Sequence, residues 1–391
     1  NLGFTDPYLF GRQILLGADI YRRDYNSFNF IDGERNKTYE QVSTGGGLRL
    51  GFPVTEFLNF GARYSLIFDE ISLDEDIFFI DPHQVPDPDG TGPLTGSDGP
   101  LPPVCDPDRA GQYLCDEIGT RATSAIGYSM VFGNTNAIRA TRGHRIAFVQ
   151  NFAGLGGDVK YIRTSADATK FWDLGSDFIF SAHAEGGYIH PLQDPPRPGR
   201  DAIRLTDRFF GQQMRGFDIR GIGPRILRTR YDAEGNLEED AGTSDALGGR
   251  AYYMGPLEVE VPTSNYIRNL GLRPSAFVDI GSVWSLERPP LRDVIATCVP
   301  ITGNTTGEPF ELVPGGAQTS CGPTTGPTGF ARFPGVKEEF VGDSPSPRLS
   351  VGFGVNWVSP FGPLRIDIAK AILTQEGDDT KFFSFNVGTR F

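Results

Sequence analysis

No stretch of this 391-residue sequence approaches the roughly 20 consecutive apolar residues that a membrane-spanning helix requires, so a helical membrane protein is excluded. A transmembrane β-barrel is not, because its strands need only about ten residues with alternate positions apolar. Positive charge is also scarce: 36 Lys and Arg against 49 Asp and Glu leave a formal net charge of -13, without the basic stripe that nucleic acid would call for. Histidine is rare and scattered (His83, His144, His183 and His190), and none of the four is assigned a catalytic role. The four cysteines show no C-x-x-C spacing and no nearby histidine, which argues against zinc or thioredoxin-like chemistry. Cys105 with Cys115 and Cys298 with Cys321 each fall within one Gly/Pro-rich stretch, so two loop-internal disulfides are expected, in an oxidising compartment. No metal centre and no cofactor is expected: there is no strand-to-helix phosphate loop, nucleophile elbow or carboxylate dyad, and Gly45-Gly46-Gly47 lies within a strand pattern.

What the sequence does contain is alternation. Leu58, Phe60, Ala62, Tyr64, Leu66 and Phe68 face one way while Asn59, Gly61, Arg63 and Ser65 face the other. Similar segments run over Gln13–Asp24, Thr44–Val54, Arg121–Phe132, His144–Ala153, Lys160–Trp172, Phe178–Ile189, Gly249–Val261, Leu272–Trp284, Leu349–Trp357, Leu364–Ile368 and Phe383–Phe391. Lys160–Trp172 is the least regular. With Asn1–Thr5 read as the end of a strand, this makes twelve full strands and a stub. No helix longer than a turn or two is required. No charged and apolar leader precedes Asn1, so any signal peptide is expected outside this sequence.

Strands this numerous with a polar face suit an all-β transmembrane antiparallel barrel, polar toward water and apolar toward lipid, better than a soluble sandwich. Short turns alternate with long loops at 72–118, 190–247 and 285–345, and the first and last of these carry the cysteine pairs. The long loops are expected on the exterior. Asp87, Asp89 and Gly90 match only part of a calcium loop, so 72–118 is read as solvated. Asn304-Thr305-Thr306 fits a glycosylation acceptor, an accidental match if the membrane is bacterial. An odd strand count leaves an edge unpaired, which hydrocarbon does not tolerate, so further N-terminal strands are expected outside the sequence.

One stretch breaks the alternation. Asp207–Arg225 has neither strand nor helix periodicity, and Gly211, Gly216, Gly221, Gly223 and Pro224 mark an irregular, tightly turned segment carrying Arg208, Arg215, Arg220 and Arg225. It is expected to fold back into the barrel, where Arg215 meets carboxylates of the inner wall.

Met214-Arg215-Gly216-Phe217 followed by Ile222-Gly223-Pro224 resembles the signature loop of the BamA family of outer-membrane protein assembly factors. Thr5–Phe10, Gly248–Ala251 with Leu257-Glu258, Phe277–Trp284, Trp357–Leu364 and Phe385–Gly388 are similar to that family's blocks in the same order. The resemblance implies a sixteen-stranded barrel preceded by periplasmic polypeptide-transport-associated domains, of which the sequence holds only the later strands. It implies a bacterial outer-membrane location and an insertase rather than an enzyme, folding other β-barrel proteins through a weak seam between first and last strands. Its implied partners are nascent outer-membrane proteins, accessory lipoproteins, periplasmic chaperones, lipid and lipopolysaccharide. Carried over by position, Arg215 is the loop arginine and Glu258 and Asp279 are its wall partners; alternation independently puts both carboxylates on the polar face. The last strand, with Phe383, Phe385, Val387 and Phe391 facing lipid, would be the seam strand, able to pair with a client edge. Two other functions stand beside this one: a secretion pore of the two-partner type, which shares the Arg-Gly-aromatic loop, and an enzyme or passive porin built on a similar barrel.

Overall fold

The computed structural model describes residues 1–31, 34–80, 103–136, 140–211, 213–238, 242–300, 310–323, 329–359 and 362–387. Asp87, Asp89, Gly90, Asn304, Thr305, Thr306 and Phe391 lie outside these residues. One antiparallel sheet of fourteen strands dominates. In chain order its strands are β1 (Leu2–Asp6), β2 (Leu15–Ile31), β3 (Glu34–Pro53), β4 (Leu58–Leu73), β5 (Gly119–Gly133), β6 (Gly143–Gly157) and β7 (Tyr161–Gly175). They continue with β8 (Phe178–Pro191), β9 (Ala251–Met254), β10 (Leu257–Glu260), β11 (Leu272–Trp284), β12 (Arg348–Ser359), β13 (Gly362–Leu373) and β14 (Phe383–Val387). Each pairs with its neighbour in sequence, except that β9 and β10 share one position between β8 and β11. Among the described residues no helix is long and apolar enough to cross a membrane, and those present have three to five residues.

Register turns the alternation into two surfaces. Leu48, Tyr64, Ile126 and Phe152 are successive partners across β3 to β6, and all four are exposed. Near the other edge Phe353, Ile368 and Phe383 form a similar row. An apolar outer surface of this kind matches lipid, where every backbone donor and acceptor must find its partner within the sheet. One step along β3 to β6, the opposite face carries Arg49, Arg63, Gly127 and Asn151. There Arg63 Nη2 donates to Asn151 Oδ1 at 2.6 Å, across Gly127, where a Cβ would collide with the same amide oxygen.

The turns at 54–57, 176–177 and 262–271 lie at one end of the strands, and the long connections at the other. Ser176 (φ 52°) and Asp177 (φ 64°) form a two-residue hairpin whose positive φ values match the twist of the strands it joins. At the opposite end the loops build structure of their own. Arg225–Arg230 pairs with Thr243–Ala246 and with Val336–Val341, joining the second long loop to the third. The buried Arg228 Nη2 donates to Glu338 Oε1 at 2.6 Å across that seam.

Several sequence expectations differ from the structure in detail. Residues 107–118 are not simply solvated: two helical turns, Pro107–Ala110 and Gln112–Cys115, follow the Cys105 side of the bonded Cys105–Cys115 pair and bury Ala110 and Glu117. Tyr113 donates to Asp245 Oδ2 at 2.5 Å, and burial first, then the Asp245 charge, pushes its phenol far above the usual range. The β2–β3 hairpin runs past the alternating segments that end at Asp24 and begin again at Thr44, with β2 reaching Ile31 and β3 beginning at Glu34. The segment 249–261 is not one strand: Pro256 lacks an N–H, so β9 and β10 are separate. His183 N–H to Pro256 O and Gly255 N–H to Ile280 O carry the pairing across the break, and the register is kept. Lys160–Trp172, the least regular by pattern, forms the full-length β7. The third loop carries a small sheet of Ala296–Pro300, Phe310–Leu312 and Phe330–Pro334 beside the bonded Cys298 and Cys321.

Candidate functional site

The segment between β8 and β9 returns along the inner face of the sheet. Arg204 Nη2 lies 3.6 Å from Asp69 of β4, Tyr161 of β7 donates to Asp207 Oδ1 at 3.3 Å, and the Arg163 guanidinium stands 4.2 Å from the Phe209 ring centroid. Farther on, the same segment reaches β11, β12 and β13. One loop therefore touches strands from β4 to β13, and the sheet is curved around it.

Its tip is seated on apolar packing. Met214 and Phe217 are almost completely buried with Ile222, Met254 and Val283. Gly216 has φ 86°, and a Cβ there would lie 2.9 Å from Ser350 Cβ; Gly223 has φ 98°, with Val283 Cβ 2.8 Å away in the same sense. Both positions demand glycine twice over, for the left-handed backbone and for close approach to the wall. Pro224 is fully buried and its carbonyl accepts from Leu247 N at 2.8 Å.

Arg215 then points at two carboxylates. Its Nε donates to Asp279 Oδ2 at 2.7 Å and its Nη2 to Asp279 Oδ1, while Nη1 donates to Glu258 Oε2 at 2.6 Å. Its backbone N–H also donates to Asp279 Oδ2 at 3.2 Å, and its carbonyl accepts from Ser350 Oγ. The guanidinium carbon stands 3.5 Å from the Phe277 ring centroid. Burial alone would lower the Arg215 pKa, but the hydrogen bonds and charges of Asp279 and Glu258 outweigh it and hold the side chain above the usual arginine value. Paired donors on a carboxylate away from bulk water are among the stronger polar contacts available to a protein.

The structure thus brings Met214, Arg215, Gly216, Phe217, Gly223 and Pro224 together with Glu258 and Asp279. It leaves Phe383, Phe385 and Val387 apart from them, exposed on the outer face of β14. Four members of the site escaped the sequence reading: Phe277, Ser350, Arg365 and Asp367. Arg365 donates to both oxygens of Glu258 (3.2 and 3.1 Å) and, through Nε, to both oxygens of Asp367 (2.8 and 3.0 Å). Phe277 carried a signal, since it is a large apolar residue at an inward position between Ser275 and Asp279. Arg365 and Asp367 carried a weaker one, as opposite charges on the polar face of one strand.

Elsewhere on the inner wall Asp167, His183 and Glu185 place three potential metal-ligand atoms within 4.8 Å of one another. Arg145 already pairs with Asp167 at 2.8 Å, and His183 Nε2 lies 3.1 Å from Asp167 and 3.7 Å from Glu185.

A sheet apolar outside and polar inside, wrapped around an arginine-tipped loop that enters from the end of the long loops, defines a transmembrane β-barrel with an internal loop plug. The description "Omp85 superfamily domain" matches residues 1–391, and the chain belongs to that superfamily of outer-membrane barrels. It is 25% identical over 393 residues to outer membrane protein assembly factor BamA of Neorickettsia risticii, covering 100% of this chain and 39% of that protein. The BamA of Neisseria meningitidis is 23% identical over 400 residues, covering 100% of this chain and 41% of that protein. A 151-residue part is 31% identical to the sorting and assembly machinery component 50 homolog of Homo sapiens, covering 37% of this chain and 28% of that protein. The crystal structure of BamA from Haemophilus ducreyi lacking POTRA domains 1–3 shares the fold, with a TM-score of 0.61 at 18% identity over 98% of this chain and 60% of that one. The chain spans about two fifths of the length of the two assembly factors.

Proposed function

We propose that this chain is the barrel of a bacterial assembly factor that inserts and folds other β-barrel proteins in the outer membrane, acting by binding rather than by covalent chemistry. The observation that carries the reading is the seated loop, with Arg215 gripped by Glu258 and Asp279, in a chain whose full-length relatives are named as assembly factors. The residues at the site can hold a loop in one position but offer no nucleophile next to a base. β14, the last described strand, pairs with β13 at Phe383–Val387. On this reading β14 is the seam strand, to which an incoming client strand adds by β-augmentation. Nascent outer-membrane proteins are the clients on this reading, with periplasmic chaperones delivering them and accessory lipoproteins, lipid and lipopolysaccharide around the barrel.

Depleting the full-length protein from cells that make it tests this. The reading predicts a joint fall of several unrelated outer-membrane barrels. Loss of a single exported protein, with the barrels unchanged, would instead favour a secretion pore.

A further inference from the structure

We propose that Arg365 is a positioning residue that ties the seated loop to the terminal β13–β14 hairpin, so that loop seating and placement of β14 form one equilibrium. Its functional consequence rests on the reading of β14 as the strand that meets clients.

Arg365 shares a carboxylate with the loop arginine. Glu258 Oε2 accepts from Arg215 Nη1 at 2.6 Å and from Arg365 Nη2 at 3.1 Å, so β10, the loop and β13 meet at one oxygen. Arg365 is fixed in turn by Asp367 and by Asn356 Oδ1 of β12 at 3.2 Å. Phe277 lies under both guanidinium groups, 3.5 Å from Arg215 and 5.9 Å from Arg365. Asp367 is almost fully buried, so removing the Arg365 charge leaves it with no cation among its hydrogen-bond partners and leaves Glu258 with Arg215 as its remaining hydrogen-bonded cation. A buried charge deprived of its partner drives local rearrangement.

A second grip acts on the same hairpin nearer the mouth. Asp218 N donates to Asp379 O at 3.0 Å, Asp379 N to Gly221 O at 2.8 Å and Lys381 N to Gly216 O at 3.1 Å, and Phe217 pairs with Thr380 as an antiparallel bridge. The connection from β13 to β14 is therefore laced to the loop through its backbone. With the Arg365 contact below and the backbone contacts above, the loop cannot leave the wall without releasing that connection. β14, which that connection leads into, is the strand most affected by its loss.

Amide hydrogen exchange on the full-length protein in lipid bilayers tests the coupling. Arg365→Gln, which removes the charge and keeps a polar side chain, is expected to accelerate exchange at least tenfold in residues 214–221 and 374–387 together. Arg365→Lys is expected to restore part of the protection, whereas Arg145→Gln, which breaks a different inner-wall pair, leaves both segments unchanged. Should Arg365→Gln fail to fold, Arg215→Ala frees the loop from the other side, and residues 374–387 must then accelerate as well. Acceleration of 214–221 with 374–387 unmoved, in either variant, would overturn the proposal, as would equal effects of Arg365→Gln and Arg145→Gln. Coupled exchange with unimpaired folding of a barrel client in the same bilayers would keep the coupling and refute the client-strand reading of β14.

Discussion

Arg215 satisfies Asp279 with two parallel donors and Glu258 with a third, and only a planar fork does both at once. Arg215→Ala takes the paired cation from Asp279 and one of two from Glu258, a change that costs on the order of 3–5 kcal/mol for a buried pair. The expected result is a loop that an arginine-directed protease cuts at Arg208, Arg220 or Arg225, where the parent protein resists. Arg215→Lys keeps the charge and loses the fork, so its protection should fall between the two. Gly216→Ala puts a Cβ against Ser350 in a left-handed backbone, and a penalty of about 1–3 kcal/mol is expected in the same assay. Asp218 gives the pH dependence its sign. The Ile219 N–H and then Lys381 hold its carboxyl below the usual 3.8, so it contributes stability above that value and loses it as pH falls through the folded pKa. The contact of Asp218 with Lys381 is part-exposed and screened, so neutral to mildly acid conditions should leave exchange at 374–381 unaltered, with acceleration only below about pH 4.

At the scale of elements, period-two alternation located the strands because one face meets lipid and the other water. It weakened wherever that contrast stops. The β2–β3 hairpin extends beyond the segments that strict alternation marks, and the Gly255-Pro256 break is hidden because the alternation of β9 and β10 stays in phase through it. The glycines and prolines of 207–225 were legible as an irregular loop, and the inward phase of Glu258 and Asp279 was legible from their neighbours. Arg365 was not, since its role depends on the register of β13 against β12 and on the loop reaching Glu258, neither of which local sequence encodes. The mouth loops were underestimated for a similar reason: the packing of Tyr113 on Asp245 and of Arg228 on Glu338 joins residues more than a hundred positions apart. Reducing the Cys298–Cys321 bond should therefore act locally. A closed loop of this length stabilises by about 3 kcal/mol, so reduction is expected to open 296–334 to proteolysis while β11 and β12 keep their exchange protection.

At the scale of the molecule, the sheet has two edges, β1 and β14, without partners among the described residues, and a loop that crosses its inner face from β4 to β13. The loop holds the curved wall together from within through contacts that lipid does not reach, and its tip lies beside the hairpin that carries the β14 edge. Amide exchange of Met214–Phe217 in the unmodified full-length protein, embedded in a bilayer, tests this account most directly. A plug fixed by Glu258 and Asp279 predicts exchange as slow as that of β11. Exchange at the rate of an unstructured peptide would contradict it.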